Sequence, residues 1–167
     1  MTLKKAALAD IEARASAIER DVGEHVADYG RLAIIQAPPG SGQTWLLLKT
    51  VDKVFGIGRR VAIATQTNAQ ADDICRRLAR DYPTTPVFRY ASKGSIPVNL
   101  GPSITWATDQ STLPGGKCIV VATTAKWALV NINPTYDVFF VEEAWQMGWA
   151  DFMLLGQVSE RFVLIGD

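Results

Sequence analysis

Two short stretches of the chain carry residue types that could handle a phosphorylated ligand. The first is Ala37-Pro-Pro-Gly-Ser-Gly-Gln-Thr44, between the apolar run Leu32 to Gln36 and a helix-forming stretch that starts at Thr44. Glycines in such a loop let successive backbone N–H groups turn inward on an anion, and the following helix N-terminus adds partial positive charge. Gly40 and Gly42 meet that need, Pro39, Ser41, Gln43 and Trp45 complete the candidate nucleotide-binding set, and Thr44 offers a hydroxyl to Mg²⁺. The pattern G-x-x-x-x-G-K-[ST] is broken twice, by Ala37 at the first Gly and by Gln43 at the Lys.

The second break matters more, because it removes the charge that reaches the β- and γ-phosphates. A charge-assisted hydrogen bond contributes about 1.5–3 kcal/mol. By analogy with deleting one oxyanion donor, turnover should fall about a hundredfold or more. Backbone amides and Mg²⁺ would still hold nucleotide. Taken alone, the loop would serve equally well as an ordinary Pro-Gly turn.

The second stretch is Tyr136-Asp-Val-Phe-Phe-Val-Glu-Glu-Ala-Trp-Gln146, an apolar strand ending in adjacent carboxylates. Neighbouring residues at a strand end point in different directions. Glu142 could then hold Mg²⁺ through water while Glu143 orients or deprotonates an attacking water. An isolated Glu-Glu pair would read as a solvated strand end; a phosphate-type loop upstream makes the catalytic reading the better one.

The elements needed to position these groups are legible as periodicity. Leu8, Ile11, Ala15, Ile18 and Val22 recur at helical spacing across residues 3–28. Leu32 to Gln36 and Val61 to Thr65 read as buried strands, Val87 to Tyr90 as a candidate third strand, and Cys118 to Ala122, Val138 to Val141 and Phe162 to Ile165 as three further apolar runs. Thr44 to Phe55 reads as a helix stopped by Gly56 and Gly58, and Ala71, Ile74, Cys75 and Leu78 give a second helix its apolar face. Residues 91–117 show little periodicity and read as a long loop or several short pieces. Continuous apolar strands alternating with helices predict an α/β domain with a parallel sheet covered on both faces. The expected organisation is a helical segment over residues 1–30 and a nucleotide-binding domain over 31–167.

The 167 residues carry 17 basic and 17 acidic side chains, and 48% are apolar, enough for one sizeable core. No run is long enough for a membrane span, and the N-terminus lacks the apolar core of a secretion signal. Cys75 and Cys118 lie far apart without metal-ligand spacing, which suggests buried thiols in a reducing, cytoplasmic setting. The neutral total conceals a pattern, since residues 1–30 sum to −2, residues 31–136 to +7 and residues 137–167 to −5. The basic middle holds the glycine loop, and a nucleic-acid partner is compatible with it.

With these motifs in order, the chain resembles superfamily 1 helicases, in the branch that includes the nonsense-mediated-decay RNA helicase and its DNA-repair relatives. Ala37 to Thr44 is similar to that family's phosphate loop, G-P-P-G-T-G-K-T. Glu142, Glu143, Ala144 and Gln146 match D-E-A-x-Q, with Trp145 where a small residue is usual. Thr67-Asn68 stands for motif Ia, Val121 to Ala125 for the strand-end threonine motif, and Leu164-Ile-Gly-Asp167 for the start of motif III.

The resemblance implies a RecA-like P-loop ATPase domain that uses ATP and Mg²⁺, with Gln146 sensing the γ-phosphate. It implies that Thr67, Asn68 and Thr124 face single-stranded nucleic acid. It also implies a second RecA-like domain, in cis or in trans, without which this piece would not translocate. The family's upstream adenine-reading glutamine has no counterpart before Gln36, so that contact is missing or replaced.

Two other readings stay open. A pseudo-ATPase serving as a protein-binding or scaffold module accords with Gln43 and Ala37. An AAA+ ATPase shares G-P-P-G-x-G, but Gln146 and the terminal Gly-Asp argue against it. Trp106 and Trp127 could stack on bases or pack in the core, and His25 reads as a surface or interface residue.

Overall fold

In the computed structural model, residues 2–28, 30–38, 40–95, 100–131 and 136–167 are described, with side chains from residue 8 onward. The order of elements is α1 (Thr2–Ala27), β1 (Leu32–Gln36), α2 (Gln43–Gly56), β2 (Val61–Thr65), α3 (Asn68–Asp81), β3 (Val87–Tyr90), β4 (Ile104–Ala107), β5 (Ile119–Thr123), α4 (Thr124–Ala128), β6 (Val138–Glu142), α5 (Trp149–Leu155) and β7 (Phe162–Gly166). Each predicted apolar run is a strand, but β1 is not the buried strand expected: it lies at one end of the sheet, and Ile35 is its only buried residue. Five consecutive buried residues in β2 and again in β6 are what a strand covered on both faces requires.

All seven strands are parallel, in the order β1-β7-β6-β2-β5-β3-β4. Two apolar layers flank the sheet. One holds Ala15, Val22 and Val26 of α1 with Leu47, Val51 and Val54 of α2 and Ile74 and Leu78 of α3. The other gathers Trp127, Tyr136, Phe139, Leu155 and Phe162 on the opposite face. This is the α/β RecA-like architecture expected from the sequence.

The order has one consequence for the site. β7 lies between β1 and β6, with Gln36 beside Gly166 and Glu142 beside Ile165. The glycine loop after β1 and the carboxylates after β6 therefore emerge on the same edge of the sheet, one strand apart, where ligands of open α/β sheets bind.

Three expectations are refined. The 91–117 stretch contains a real strand, β4, plus 3₁₀ turns at Lys93–Ser95 and Gln110–Thr112. Only the second half of the apolar stripe on α1 is covered, since Leu8 and Ile11 are 56% and 50% exposed. Trp127 is core, with its indole N–H donating to the Ile63 carbonyl at 2.8 Å, and Trp106 packs half-buried against the other layer. His25 is exposed near the end of α1. Cys75 and Cys118 are free and buried, and burial raises both thiol pKa values, to about 12 and about 11. Among the described residues, no helix is long and apolar enough to cross a membrane.

Candidate functional site

The loop between β1 and α2 is shaped by glycine. Gly40 and Gly42 have φ of 77° and 90°, a region that residues with a Cβ enter only at a cost. Gly42 is also the N-cap of α2, so no side chain occupies the first N–H groups of that helix. Ser41 N–H donates to the Pro38 carbonyl at 3.0 Å, tightening the turn. Pro39 lies outside the described residues.

Gln43, in the lysine position, folds back and donates its side-chain N–H to the Ala37 carbonyl. That contact closes the loop across its own mouth. A neutral amide can make it, but it cannot supply the charge that a phosphate chain attracts.

Thr44, next on the helix, donates its hydroxyl to Glu142 Oε1 at 2.9 Å, joining residues 98 apart in sequence. Glu142 is 5% exposed, and its second oxygen is buried without a partner. An orphaned carboxylate oxygen beside a threonine hydroxyl fits a hard cation with oxygen ligands. Thr44 and Glu142 are the residues that would hold Mg²⁺, with water completing its shell. No group of three or more His, Cys, Asp or Glu among the described residues could hold a metal by itself.

Burial raises the Glu142 pKa above its ordinary 4.5, against the lowering effect of Thr44; the neighbouring Glu143 charge raises it further. A carboxyl whose folded pKa is raised favours the folded state while protonated and disfavours it once ionised. Glu142→Gln is therefore expected to raise the melting temperature at pH 7, by about 2–4 °C per kcal/mol. The gain should disappear below pH 4.5, where Glu142 is protonated in both states. Thermal melts of the two proteins at pH 7 and pH 4 check this; an equal difference at both values contradicts it.

Glu143 is the only described non-glycine residue with positive φ, at 53°. The left-handed conformation costs about 1–2 kcal/mol, and it turns the chain from β6 into the 3₁₀ turn Ala144–Gln146. The Glu143 carboxylate accepts a hydrogen bond from Trp145 Nε1 at 2.6 Å. Gln146 is exposed, and its backbone N–H donates to the Glu143 carbonyl at 2.9 Å.

A cleft of about 360 Å³ adjoins the loop, between Ile11, Arg14 and Ile18 of α1 and Pro38, Ser41 and Trp45. Its walls are largely apolar and it is large enough for a nucleoside base. Lys49 Nζ lies 4.9 Å from the centre of the Trp45 ring. The participation of α1 was not read from the sequence. Its only signal there was an apolar stripe, which looks the same whether it faces a core or a cleft.

Thr67, Asn68 and Thr124 also reach this edge of the sheet, but their side chains have structural partners. Thr67 forms a capping box with Gln70 at the start of α3. Asn68 Oδ1 accepts from Arg89 at 2.7 Å. Thr124 is buried and donates to the Thr65 carbonyl at 3.2 Å. A cleft of about 130 Å³ nearby is lined by Asn68, Ser92, Ser95, Thr123 and Lys126. Thr123 rather than Thr124 lines it, with Ser92 and Ser95 from the stretch without periodicity and Lys126 from the short α4, three residues that carried no sequence signal.

No family model and no curated protein sequence matches the chain. Solved structures share its fold. A nuclease-deletion mutant of the Type ISP restriction-modification enzyme LlaGI, solved in complex with a DNA substrate mimic, aligns over 91% of this chain with a TM-score of 0.64 and 14% identity. The Sulfolobus solfataricus SWI2/SNF2 ATPase core, solved with dsDNA, aligns over 90% with a TM-score of 0.56 and 12% identity. The chain spans 17% of the first structure's length and 30% of the second's. At such identities the likeness is one of fold.

Proposed function

We propose that this chain is the ATP-binding first motor domain of a superfamily 1 helicase-like protein, comprising a helical segment over residues 1–30 and a RecA-like domain over 31–167, with hydrolysis impaired by Gln43. The observation that carries the reading is the hydrogen bond between Thr44 and Glu142, made beside a buried, unpartnered carboxylate oxygen at the head of a glycine loop. ATP would lie with its phosphates over Gly40, Ser41, Gly42, Gln43 and Thr44, on the free N–H groups at the start of α2. Thr44 and Glu142 would hold Mg²⁺, which would supply the positive charge that Gln43 lacks. Glu143 would orient the attacking water, and Gln146 would meet the γ-phosphate.

Single-stranded nucleic acid is the proposed polymer partner, crossing the strand ends at Thr67, Asn68 and Thr124 over the cleft that Thr123 and Lys126 line. A second RecA-like domain, in cis or in trans, is the proposed protein partner. The free, buried thiols accord with a cytoplasmic site of action.

Isothermal titration tests the binding claim. Weak binding of ATP with Mg²⁺ is expected, and it should be lost when EDTA removes the metal. A folded chain that gives no heat with ATP·Mg rejects the reading. In the same preparation, a labelled oligonucleotide should show anisotropy that falls as salt is raised; a salt-independent signal, or none, removes nucleic acid from it.

The bond from Gln43 to Ala37 favours a second reading, a pseudo-ATPase serving as a protein-binding module. A loop held shut by its own amide needs no nucleotide to keep its shape. Nucleotide-independent affinity for a protein partner would select this reading.

A further inference from the structure

Trp145 is 59% exposed, yet it is held from two sides. Its indole N–H donates to Glu143 Oε2 at 2.6 Å. Its ring lies on the end of β7, so closely that a Cβ built on Gly166 would come within 3.0 Å of Trp145 Cδ1 and 3.3 Å of the Ala144 nitrogen. The same ring lines a cleft of about 300 Å³ together with Ile34, Gln36, Leu164 and Asp167.

An indole left this exposed is not placed there by burial alone. What fixes it is a polar bond to one carboxylate and a seat that a Cβ at Gly166 would crowd. Glu143 meanwhile stands on left-handed backbone, alone among the described non-glycine residues.

We infer that Trp145 is a positioning residue for Glu143, linking the water-directing carboxylate to the end of β7 through its indole N–H. The inference rests on the motor-domain reading above. A carboxylate that orients water must be held in direction as well as in distance, and one directed donor on Oε2 leaves Oε1 free to accept from a water. Because the ring sits on Gly166, a shift of the β7 end moves the indole and, through it, the carboxylate. Outer partners of this kind typically cost about 10- to 100-fold in affinity or activity when removed; because Glu143 faces the attacking water and not the metal, the loss here should fall on the chemical step.

The test has two arms. In the ¹⁵N-labelled chain, the Trp145 indole resonance is identified by its loss in Trp145→Phe. Glu143→Gln and Gly166→Ala should each shift that resonance and speed its solvent exchange, leaving the other indoles in place. An unmoved Trp145 resonance in Glu143→Gln overturns the inference whatever the chain does with nucleotide.

The second arm measures single-turnover ATP hydrolysis in Gln43→Lys, with protein in excess. Adding Trp145→Phe, which keeps a ring and removes the donor, should slow the chemical step at least tenfold while ATP·Mg affinity stays within about twofold. An unchanged rate overturns the inference alone; where Gln43→Lys binds ATP·Mg without hydrolysis, the resonance arm decides it. Failure of Gln43→Lys to bind ATP·Mg instead rejects the motor-domain reading, and the inference falls with it even if the resonance arm succeeds.

Discussion

Gln43→Lys is expected to tighten ATP·Mg binding by about ten- to a hundredfold, the equivalent of one charge-assisted hydrogen bond regained. The other features of the proposed phosphate loop are in place: two left-handed glycines, an uncapped helix start, and Thr44 bonded to a carboxylate with one oxygen to spare. What Gln43 lacks is charge. Its amide bonds to the Ala37 carbonyl, and a lysine could make the same contact and release it for a phosphate. Titration calorimetry on Gln43→Lys and Gln43→Ala separates the two effects of the natural residue. Alanine opens the loop without adding charge, so it should leave affinity unchanged or lower it. If alanine tightens binding as much as lysine, the closed loop and not the missing charge limits nucleotide. In a chain that carries both motor domains, Gln43→Lys should also restore ATPase activity stimulated by nucleic acid.

Arg89→Ala is expected to destabilise the fold by about 3–5 kcal/mol, the usual cost of leaving a buried charge without its partner. Arg89 is completely buried on β3. Its guanidinium donates to Asp72 at 2.7 Å, to Asn68 at 2.7 Å and to the Tyr90 carbonyl at 2.8 Å. Removing it strands Asp72, which is 7% exposed, and releases Asn68 at the first turn of α3. At about 2–4 °C per kcal/mol, the melting temperature should drop by more than 6 °C. The double change Arg89→Met with Asp72→Leu should recover much of that loss, because it removes both charges together. A single mutant that melts within a degree or two of the parent would mean that water reaches Asp72 easily. The cluster also bears on function, since it fixes the amide that the proposed nucleic-acid path uses.

The central strands could be read from the sequence because cover on both faces turns them into uninterrupted apolar runs; β1 shares that pattern although only Ile35 in it is buried. β4 escaped because Ile104–Ala107 is short, half exposed on one side and set among glycines and prolines. The buried Arg89 was also beyond sequence reasoning. Its side-chain partners, Asp72 and Asn68, sit on α3, and nothing in the local pattern of β3 marks its arginine as facing inward. The meeting of Thr44 and Glu142 was anticipated from motif order, which carries information about which strands must lie close. The contact between Trp145 and Glu143 was not, since it depends on a single left-handed residue that local preference would not choose. Likewise, Thr67 and Thr124 were read for chemistry that their hydroxyls share with capping and core bonds.

The strand that carries the glycine loop is also the outermost strand of the sheet. β1 is bonded to β7 on one side, and its sequence Leu-Ala-Ile-Ile-Gln holds no charge and no proline, the usual guards of an open edge. Ile34, at its centre, is 71% exposed. The loop's first anchor, the Ala37 N–H, donates to the Gly166 carbonyl at 2.7 Å, one residue beyond this strand. In mechanical terms the proposed phosphate cradle is a cantilever: among the described residues it is clamped along one rail and open along the other. Any extended chain that lies against the open rail would stiffen the cradle at its root, without touching a glycine.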